Sequence, residues 1–524
     1  GLRFAEETRV KKASTAEEFY EAWFSPKRIL GGLVNNPFNL VPKPQRLIKD
    51  WQKDREMARQ YLAGVNPVMI QVCKDPKTQL NKDVLQFFAD QNIDIETMAS
   101  EKRLLFADYS DLAELEKNPH NAYPIEYNPD VKFDPANLRY YHASQIVFEL
   151  ERTRENMDIL AIELDLVHDA KDPSKRDPQI YSSYTSSKTD WLMAKSCISN
   201  ADSQFHEWIS HLGNTHLTFE AHILAIHNTL RKNEHPLWDF FEPLTRDTLL
   251  LNWAARQTLA EFGAESFGDV QCCVGTGQFM QMIRNRWEKY GFFKYSAYDE
   301  ELEMRGFDAD FEFPGYLYRE DGKKIWEAIG EFTTDFVSEV FPSDESVAND
   351  AVVQAWAKET TDADKAAVPG FPKTITDKKT LSKVMQTLWW ICSGYHAVVN
   401  MPQYDYFAYM PNNPFSFRAS MTQYLSEADG KREWIFENAM PDYKTTRSFM
   451  STVRILSIPS EHCIDNLLDH YTDVKYGLKS YEKFLTKLDV IGDEIEARNK
   501  MNKKLGRAVY PYLHPTRIPS SIDI

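Results

Sequence analysis

The spacing of apolar positions changes along the chain, from mixed patterns in the first third to helical periodicity afterwards. Helical spacing over residues 187–233, 244–262, 325–340, 378–400 and 474–503 predicts long helices. Residues 145–166 contain two arms of alternating apolar and polar positions, which predict a β-hairpin. Residues 1–60 are typical of helices broken by turns, and the acidic stretch 343–372 is expected to be rich in loops. These patterns predict a mainly α fold with a small β element.

Composition narrows the class of protein. The 524 residues contain no repeat, low-complexity tract or Ser/Gly linker, so one large helical domain over residues 1–524 is expected. A net charge of −17 argues against a nucleic-acid partner, although a local basic or apolar patch would allow weak peripheral contact with a membrane. No apolar run reaches the ~18 residues of a membrane span. Six cysteines without CxxC spacing favour reduced thiols. We therefore expect a monomeric cytoplasmic protein, with membrane association as an option.

A histidine-rich segment, residues 204–216, is the first candidate for chemistry. His206 and His211 are five residues apart, which in an α-helix places their side chains about 140° apart. They converge on one metal only if the helix contains a π-type bulge, a feature enriched at functional sites. His211 and His216 have the same spacing, as do His222 and His227. Spacing alone therefore leaves structural histidines as the commoner explanation for any one pair.

A second segment strengthens the case for a metal. His396 and Asn400 follow an apolar helical run, lie four residues apart and share one helix face. Buried polar groups on such a helix require partners, either a metal or each other. Imidazole nitrogens and a carboxamide oxygen suit a metal such as iron.

With both segments in view, the chain resembles the lipoxygenase family over most of its length. Family-like blocks occur in the family's order, and each by itself is weak. They are Ala63-Gly-Val-Asn-Pro-Val68, Arg103-Leu-Leu-Phe-Ala-Asp-Tyr109, Trp191-Leu-Met-Ala-Lys195, Asn252-Trp-Ala-Ala-Arg256, Gly370-Phe-Pro, Met410-Pro-Asn-Asn-Pro414, Glu494-Ile-Glu-Ala-Arg-Asn499 and the terminal Pro519-Ser-Ser-Ile-Asp-Ile524.

The resemblance implies a large helical catalytic domain whose two central helices hold non-haem iron. The family's N-terminal β-sandwich is not expected within this chain, because the first block begins by residue 63. By family position, His216 and Gln403 are expected outside the ligand set as orienting or pocket groups, whereas Ala255 and Leu259 are expected to line the substrate channel. The implied ligands are His206, His211, His396, Asn400 and the terminal carboxylate of Ile524.

The resemblance also implies a reaction. A metal-bound hydroxide, rather than a protein side chain, takes a hydrogen atom from a cis,cis-1,4-pentadiene, and the co-substrate O2 then adds to give a hydroperoxide. The substrates are polyunsaturated fatty acids of the linoleate, linolenate and arachidonate class. Ala255 stands at the family position where alanine usually accompanies an S product, so an S hydroperoxide is expected. Ala254 stands where some animal members carry an arginine that binds the substrate carboxylate. The end of the fatty acid that enters the channel first therefore stays open. Manganese could replace iron, and a hydroperoxide isomerase or a metal-free lipid-binding scaffold remain alternatives.

Overall fold

Five strands within the described part of the chain form one small antiparallel sheet. The computed structural model describes residues 50–115, 140–166, 177–259, 272–273, 276–418, 421–428, 430–432, 439–441 and 443–524. The strands follow each other in chain order as β1 (Gln71–Val72), β2 (Leu104–Asp108), β3 (Ser144–Leu150), β4 (Met157–Asp165) and β5 (Pro178–Tyr181). Strands β3 and β4 form the predicted hairpin, with a register shift between Val147 and Phe148.

Helices make up most of the remaining described chain and confirm the mainly α class. In the central pair of helices, α-helical and π-helical segments alternate without a break. The first half contains α-helices Asp54–Ala63, Pro76–Gln79, Lys82–Asp90, Ile95–Ser100, Leu112–Leu115, Lys188–Phe205, Thr218–Ile226, Leu237–Phe241 and Thr248–Thr258, with π-helices His206–Leu217 and His227–Arg231. The second half contains α-helices Thr276–Tyr290, Phe292–Ser296, Tyr298–Met304, Leu317–Val340, Asp344–Ala348, Ala351–Thr361, Lys378–Trp390, His396–Asn400, Gln403–Phe407, Met421–Ser426, Tyr443–Leu456, Leu468–Asp473 and Leu478–Lys504, the π-helix Ile391–Tyr395 and the 3-10 helix Pro515–Arg517.

Two of these continuous helices pass through the middle of the fold. The first central helix covers residues 188–231, and the second covers residues 378–400. Helix Leu317–Val340 packs against both the second central helix and helix Leu478–Lys504. Phe332 sits at this junction, with its ring 5.3 Å from that of Trp389 and 5.5 Å from that of Phe484, measured between centroids. Aromatic packing of this kind holds the second central helix firmly in the core.

Several sequence predictions need correction or lie outside the described residues. The stretch 343–372 is not mainly loop, because it contains helices Asp344–Ala348 and Ala351–Thr361. Its acidic residues include Asp350, the N-cap of the second of these helices, which accepts hydrogen bonds from the amides of Val352 and Val353. The predicted helices of residues 1–49 lie outside the described part of the chain. Within that part, no helix is both long enough and apolar enough to cross a membrane.

Candidate metal centre

The first central helix widens into a π-helix at the histidine-rich segment, as the spacing predicted. From His206 to Leu217 the backbone is π-helical for 12 residues, which brings side chains five positions apart onto one face. The hydroxyl of Thr218 donates to the Gly213 carbonyl at 2.8 Å and so gives this carbonyl of the wider turn a hydrogen-bond partner. Gly213 also lets helix Thr276–Tyr290 approach closely, because a Cβ at position 213 would lie 2.8 Å from a side-chain carbon of Ile283 on that helix.

Three histidines from the two central helices converge on one point. The ring nitrogens of His211, His216 and His396 that could bind a metal all lie within 4.8 Å of one another. The His396 ring centroid is 5.7 Å from that of His211 and 5.2 Å from that of His216. All three side chains are buried. Among the described residues, this is the group of histidine, cysteine and acidic side chains with the geometry to hold a metal ion.

His206 does not belong to this group, which reverses part of the sequence-based assignment. Its Nε2 lies 2.6 Å from the Val399 carbonyl oxygen, to which it donates, and its ring packs edge-on against Phe407. His216, which was expected to be an outer group, stands in its place. The sequence could not distinguish the two pairs, because a π-helix places residues five apart on one face, and both His206/His211 and His211/His216 have that spacing. Tertiary contacts distinguish the two pairs: His206 binds the Val399 carbonyl, whereas His216 binds Asn252 and faces His396.

The hydrogen bonds of His216 and His211 direct one nitrogen of each ring towards the point of convergence. Asn252 donates from Nδ2 to the His216 carbonyl and to Glu220, so its Oδ1 faces His216 Nδ1 at 2.8 Å and accepts. Nδ1 of His211 lies 3.1 Å from a carboxylate oxygen of Glu207. Nδ1 of His216 therefore carries the proton and its Nε2 presents a lone pair, and an ionised Glu207 would fix the same tautomer at His211. The two Nε2 atoms are 3.3 Å apart, an arrangement that a shared cation stabilises.

Burial keeps these imidazoles neutral, which is the form that binds metals. Desolvation lowers the pKa of His211 and of His216 to about 3, and it lowers the pKa of His396 well below its ordinary value. Both nitrogens of His396 are buried without a hydrogen-bond partner among the described residues. Burial raises the pKa of Glu207 to about 7, so a cation at this position would favour its ionised form.

Amide side chains complete the site on the second central helix and just beyond it. Asn400 is fully buried one helical turn after His396, and its Oδ1 accepts a hydrogen bond of 3.0 Å from Gln403 Nε2. The Asn400 Nδ2 has no partner among the described residues. Gln403, which was predicted to orient a ligand or line the pocket, thus contacts Asn400 directly.

The C-terminal tail is anchored beside the same site. The Thr248 hydroxyl donates to the Ile522 carbonyl at 3.1 Å, and the amide of Ser520 donates to the His462 carbonyl at 2.8 Å. Ile522 is fully buried. These contacts bring Ile524 to the wall of the cavity that also contains His211 and His216.

That cavity has a volume of about 730 Å³ and a mainly apolar lining. Ala255 and Leu259, which were predicted to line a substrate channel, line this cavity, and so does Ala254. Arg256 also lines the cavity, but its guanidinium is bound to the Glu220 carboxylate at 2.8 Å. Sequence reasoning gave no role to Glu220 or Asn252, because the contacts that join Asn252 to His216 and to Glu220 span 36 and 32 positions of the chain. The other lining residues are Glu207, Trp208, His211, Leu212, His216, Leu217, Leu251, Asn252, Thr258, Phe279, Met280, Ser448, Thr452, Ile455, Leu456 and Ile524.

Comparison with known proteins identifies the family of the chain. The family model described as Lipoxygenase matches residues 4–514. The chain is 28% identical to "Lipoxygenase 6, chloroplastic" of Arabidopsis thaliana over 90% of its own length and 55% of that protein. It is 27% identical to human "Polyunsaturated fatty acid lipoxygenase ALOX15B" over 93% of its length and 68% of that protein. The chain thus spans a little over half of the first relative and about two thirds of the second.

Solved structures show the same fold. The chain is similar to coral 8R-lipoxygenase, with a TM-score of 0.77 and 22% identity over all of this chain and 75% of that one. A lipoxygenase crystallised in complex with arachidonate superposes with a TM-score of 0.79 at 22% identity, over all of this chain and 74% of that one. Because the family model covers nearly the whole sequence, the chain belongs to the lipoxygenase family.

Proposed function

We propose that residues 1–524 form a lipoxygenase catalytic domain in which His211, His216, His396, Asn400 and the Ile524 carboxylate hold a non-haem iron. The carrying observation is the convergence of three buried histidines, in which Nε2 of His211 and Nε2 of His216 lie 3.3 Å apart. Asn400 adds a neutral oxygen donor, and the terminal carboxylate adds the anionic oxygen that the other four lack. Manganese fits the same donor set.

We propose further that this site oxygenates polyunsaturated fatty acids, with O2 as co-substrate. Bound iron supplies the one-electron chemistry needed to remove a hydrogen atom from a doubly allylic carbon. The cavity supplies an apolar space for the pentadiene, and its volume falls within the ~300–1,000 Å³ typical of small-molecule sites. Ala255 and Leu259 form part of the cavity wall. In this proposal they control the access of O2 to the bound fatty acid. Related potato proteins carry the name linoleate 9S-lipoxygenase, which supports this substrate class.

Two alternatives are distinguishable from this proposal. A hydroperoxide isomerase would use the same metal without net uptake of O2. A metal-free lipid-binding scaffold would leave both nitrogens of His396 buried and unpaired, which is costly for polar atoms. The expectation of a monomeric cytoplasmic enzyme with peripheral membrane contact belongs to the same proposal.

The test is O2 consumption by the purified protein with linoleate, together with metal analysis. We expect stoichiometric iron, uptake of one O2 per linoleate and formation of a conjugated-diene hydroperoxide. His211→Ala should abolish the uptake, whereas His227→Ala should preserve it, because His227 is only partly buried and packs against Trp238. Consumption of a fatty-acid hydroperoxide without O2 uptake would support the isomerase, and a stable protein without metal or turnover would support the scaffold.

A further inference from the structure

A hydrogen bond joins the two π-helical segments beside the converging histidines. Asn214 Nδ2 donates to the Tyr395 hydroxyl at 3.0 Å. Asn214 lies between His211 and His216 on the first central helix, and Tyr395 directly precedes His396 on the second. The bond therefore links the two helices within three residues of each of the three histidines.

The surroundings of this bond separate it from the apolar cavity of the metal centre. Tyr395 is buried, and Oδ1 of Asn214 has no hydrogen-bond partner among the described residues. Neither residue lines the apolar cavity. Both line another, polar cavity of about 340 Å³, together with Ser210 and Arg286, and no residue lines both cavities. Removing the bond therefore leaves the wall of the apolar cavity intact.

The bond depends on the π-helical form of the first central helix. In an α-helix, the side chains of His211 and His216 would point about 140° apart. Asn214 lies between them, so the same change would alter the direction of its amide relative to Tyr395. Long π-helices are rare, and an unusual backbone persists where surrounding contacts stabilise it. The Asn214–Tyr395 bond is such a contact, and it forms in the register in which the histidines converge.

A further hydrogen bond joins the same two helices at the other end of their contact. His206 Nε2 donates to the Val399 carbonyl at 2.6 Å. Because position 206 pairs with 399 and position 214 pairs with 395, the two helices run antiparallel here, and one proposed ligand on each helix lies between the two bonds. With both bonds in place, the helices can neither slide nor rotate against each other without breaking one of them.

We propose that Asn214 and Tyr395 are positioning residues, whose hydrogen bond holds the two π-helices in the register that brings His211, His216 and His396 together. The inference rests on the proposed function for the identity of the metal, whereas the register itself depends on the contact between the helices. Supporting contacts matter at such a site, because ligands that are displaced by about 1 Å no longer match the geometry of the metal. Loss of the bond should therefore loosen the site without removing a donor.

The experiment begins with Tyr395→Phe, which removes the hydroxyl and keeps the ring. In the iron-free protein, amide hydrogen exchange of residues 206–217 should become faster than in the wild type, because local opening of the π-helix becomes easier. Iron affinity in a chelator-buffered titration should fall by about 2- to 30-fold, the range for changes transmitted through packed contacts. The electron paramagnetic resonance spectrum of the ferric protein should change, since it reports ligand geometry. The KM for linoleate should stay close to that of the wild type, because the cavity wall is unchanged.

Other variants separate positioning from a general loss of stability. Asn214→Leu removes the other half of the bond, and the double variant Asn214→Leu/Tyr395→Phe should lose little more iron affinity than the weaker-binding single variant. The matched control is Gln386→Leu, on the second central helix, where Gln386 Nε2 donates to the Trp326 carbonyl of a different helix at 2.8 Å. Gln386→Leu should lose a similar free energy of unfolding in urea and keep the wild-type iron affinity, spectrum and exchange of residues 206–217.

Wild-type exchange and iron affinity in Tyr395→Phe, additive losses in the double variant, or equal effects in Gln386→Leu would overturn the positioning role. If Tyr395→Phe does not fold, Asn214→Leu provides the same comparison. A protein that shows these dependences of iron binding but does not oxygenate linoleate would refute the proposed function and leave the positioning pair intact. If the wild type binds no metal, the proposed function fails and hydrogen exchange decides: faster exchange of residues 206–217 in Tyr395→Phe than in Gln386→Leu supports the pair, and equal exchange refutes it.

Discussion

Replacing Asn252 tests how the structure orients a proposed metal ligand. Its Oδ1 accepts from His216 Nδ1 at 2.8 Å, and its Nδ2 donates to Glu220 at 2.6 Å. Asn252→Ala removes both contacts, so the His216 ring loses the partner that fixes its tautomer and orientation. Asn252 also lines the cavity without being a proposed ligand, so the metal donors themselves remain in place.

The expected effect on metal affinity is large but partial. Loss of the hydrogen-bond partner of a metal-bound histidine typically weakens metal binding by about 10- to 100-fold. That range corresponds to roughly 1.4–2.8 kcal/mol of binding free energy. Leaving buried partners unsatisfied should also lower the free energy of unfolding by about 1–3 kcal/mol. A control must separate these two consequences.

Asn200→Ala provides that control. Asn200 is 1% exposed on the first central helix, and its Nδ2 donates to the Pro414 carbonyl at 2.6 Å. Both variants should lose similar stability, measured by urea unfolding of the iron-free proteins. Only Asn252→Ala should need a higher free iron concentration for half-saturation in a chelator-buffered titration. Equal iron affinity in both variants would refute the assignment of Asn252 as an orienting group.

Three further predictions address other parts of the site. Adding one residue after Ile524 should displace the terminal carboxylate, and metal analysis should show loss of most iron while circular dichroism shows an unchanged fold; full retention of iron would exclude this ligand. Ala255→Gly should shift the linoleate product towards the opposite configuration at a neighbouring carbon with iron content unchanged, as resolved by chiral chromatography; an identical product distribution would contradict it. His222, packed between Phe292 and Phe371, has a pKa lowered by burial from 6.5 to about 3. The unfolded chain therefore binds this proton first, and the unfolding free energy falls as pH decreases below about 6.5. His222→Phe should reduce that acid sensitivity in urea titrations and keep the iron, and an unchanged pH slope would show that His222 does not cause it.

The fold could be predicted from sequence where apolar residues recur at the regular spacing of a helix or a strand. The hairpin of β3 and β4 follows from alternation, and the central helices follow from helical spacing and length. Strand β2 could not be found in this way, because Leu104, Leu105, Phe106 and Ala107 are all buried and no alternation remains. The two-residue strand β1 is too short to show any period.

The sequence predicted a metal site built from histidines, but it did not determine which two histidines of the first central helix belong to the site. The spacing of His206, His211 and His216 correctly required a π-type turn, yet it offered two equivalent pairs. Contacts across the fold decide between them, through the Val399 carbonyl at His206 and the Asn252 amide at His216. The approach of Ile524 to the cavity likewise depends on tertiary contacts of the tail, which no local pattern encodes.

Iron content of matched histidine variants is the most direct test of the metal centre. His206→Ala, His211→Ala, His216→Ala and His396→Ala would be loaded with iron under identical conditions and analysed by mass spectrometry of the metal, with circular dichroism as a check of folding. We predict that His206→Ala retains most of its iron, because its ring is bound to a backbone carbonyl, and that the other three lose most of theirs. A folded His216→Ala protein with full iron, together with an iron-free His206→Ala protein, would contradict the proposed centre.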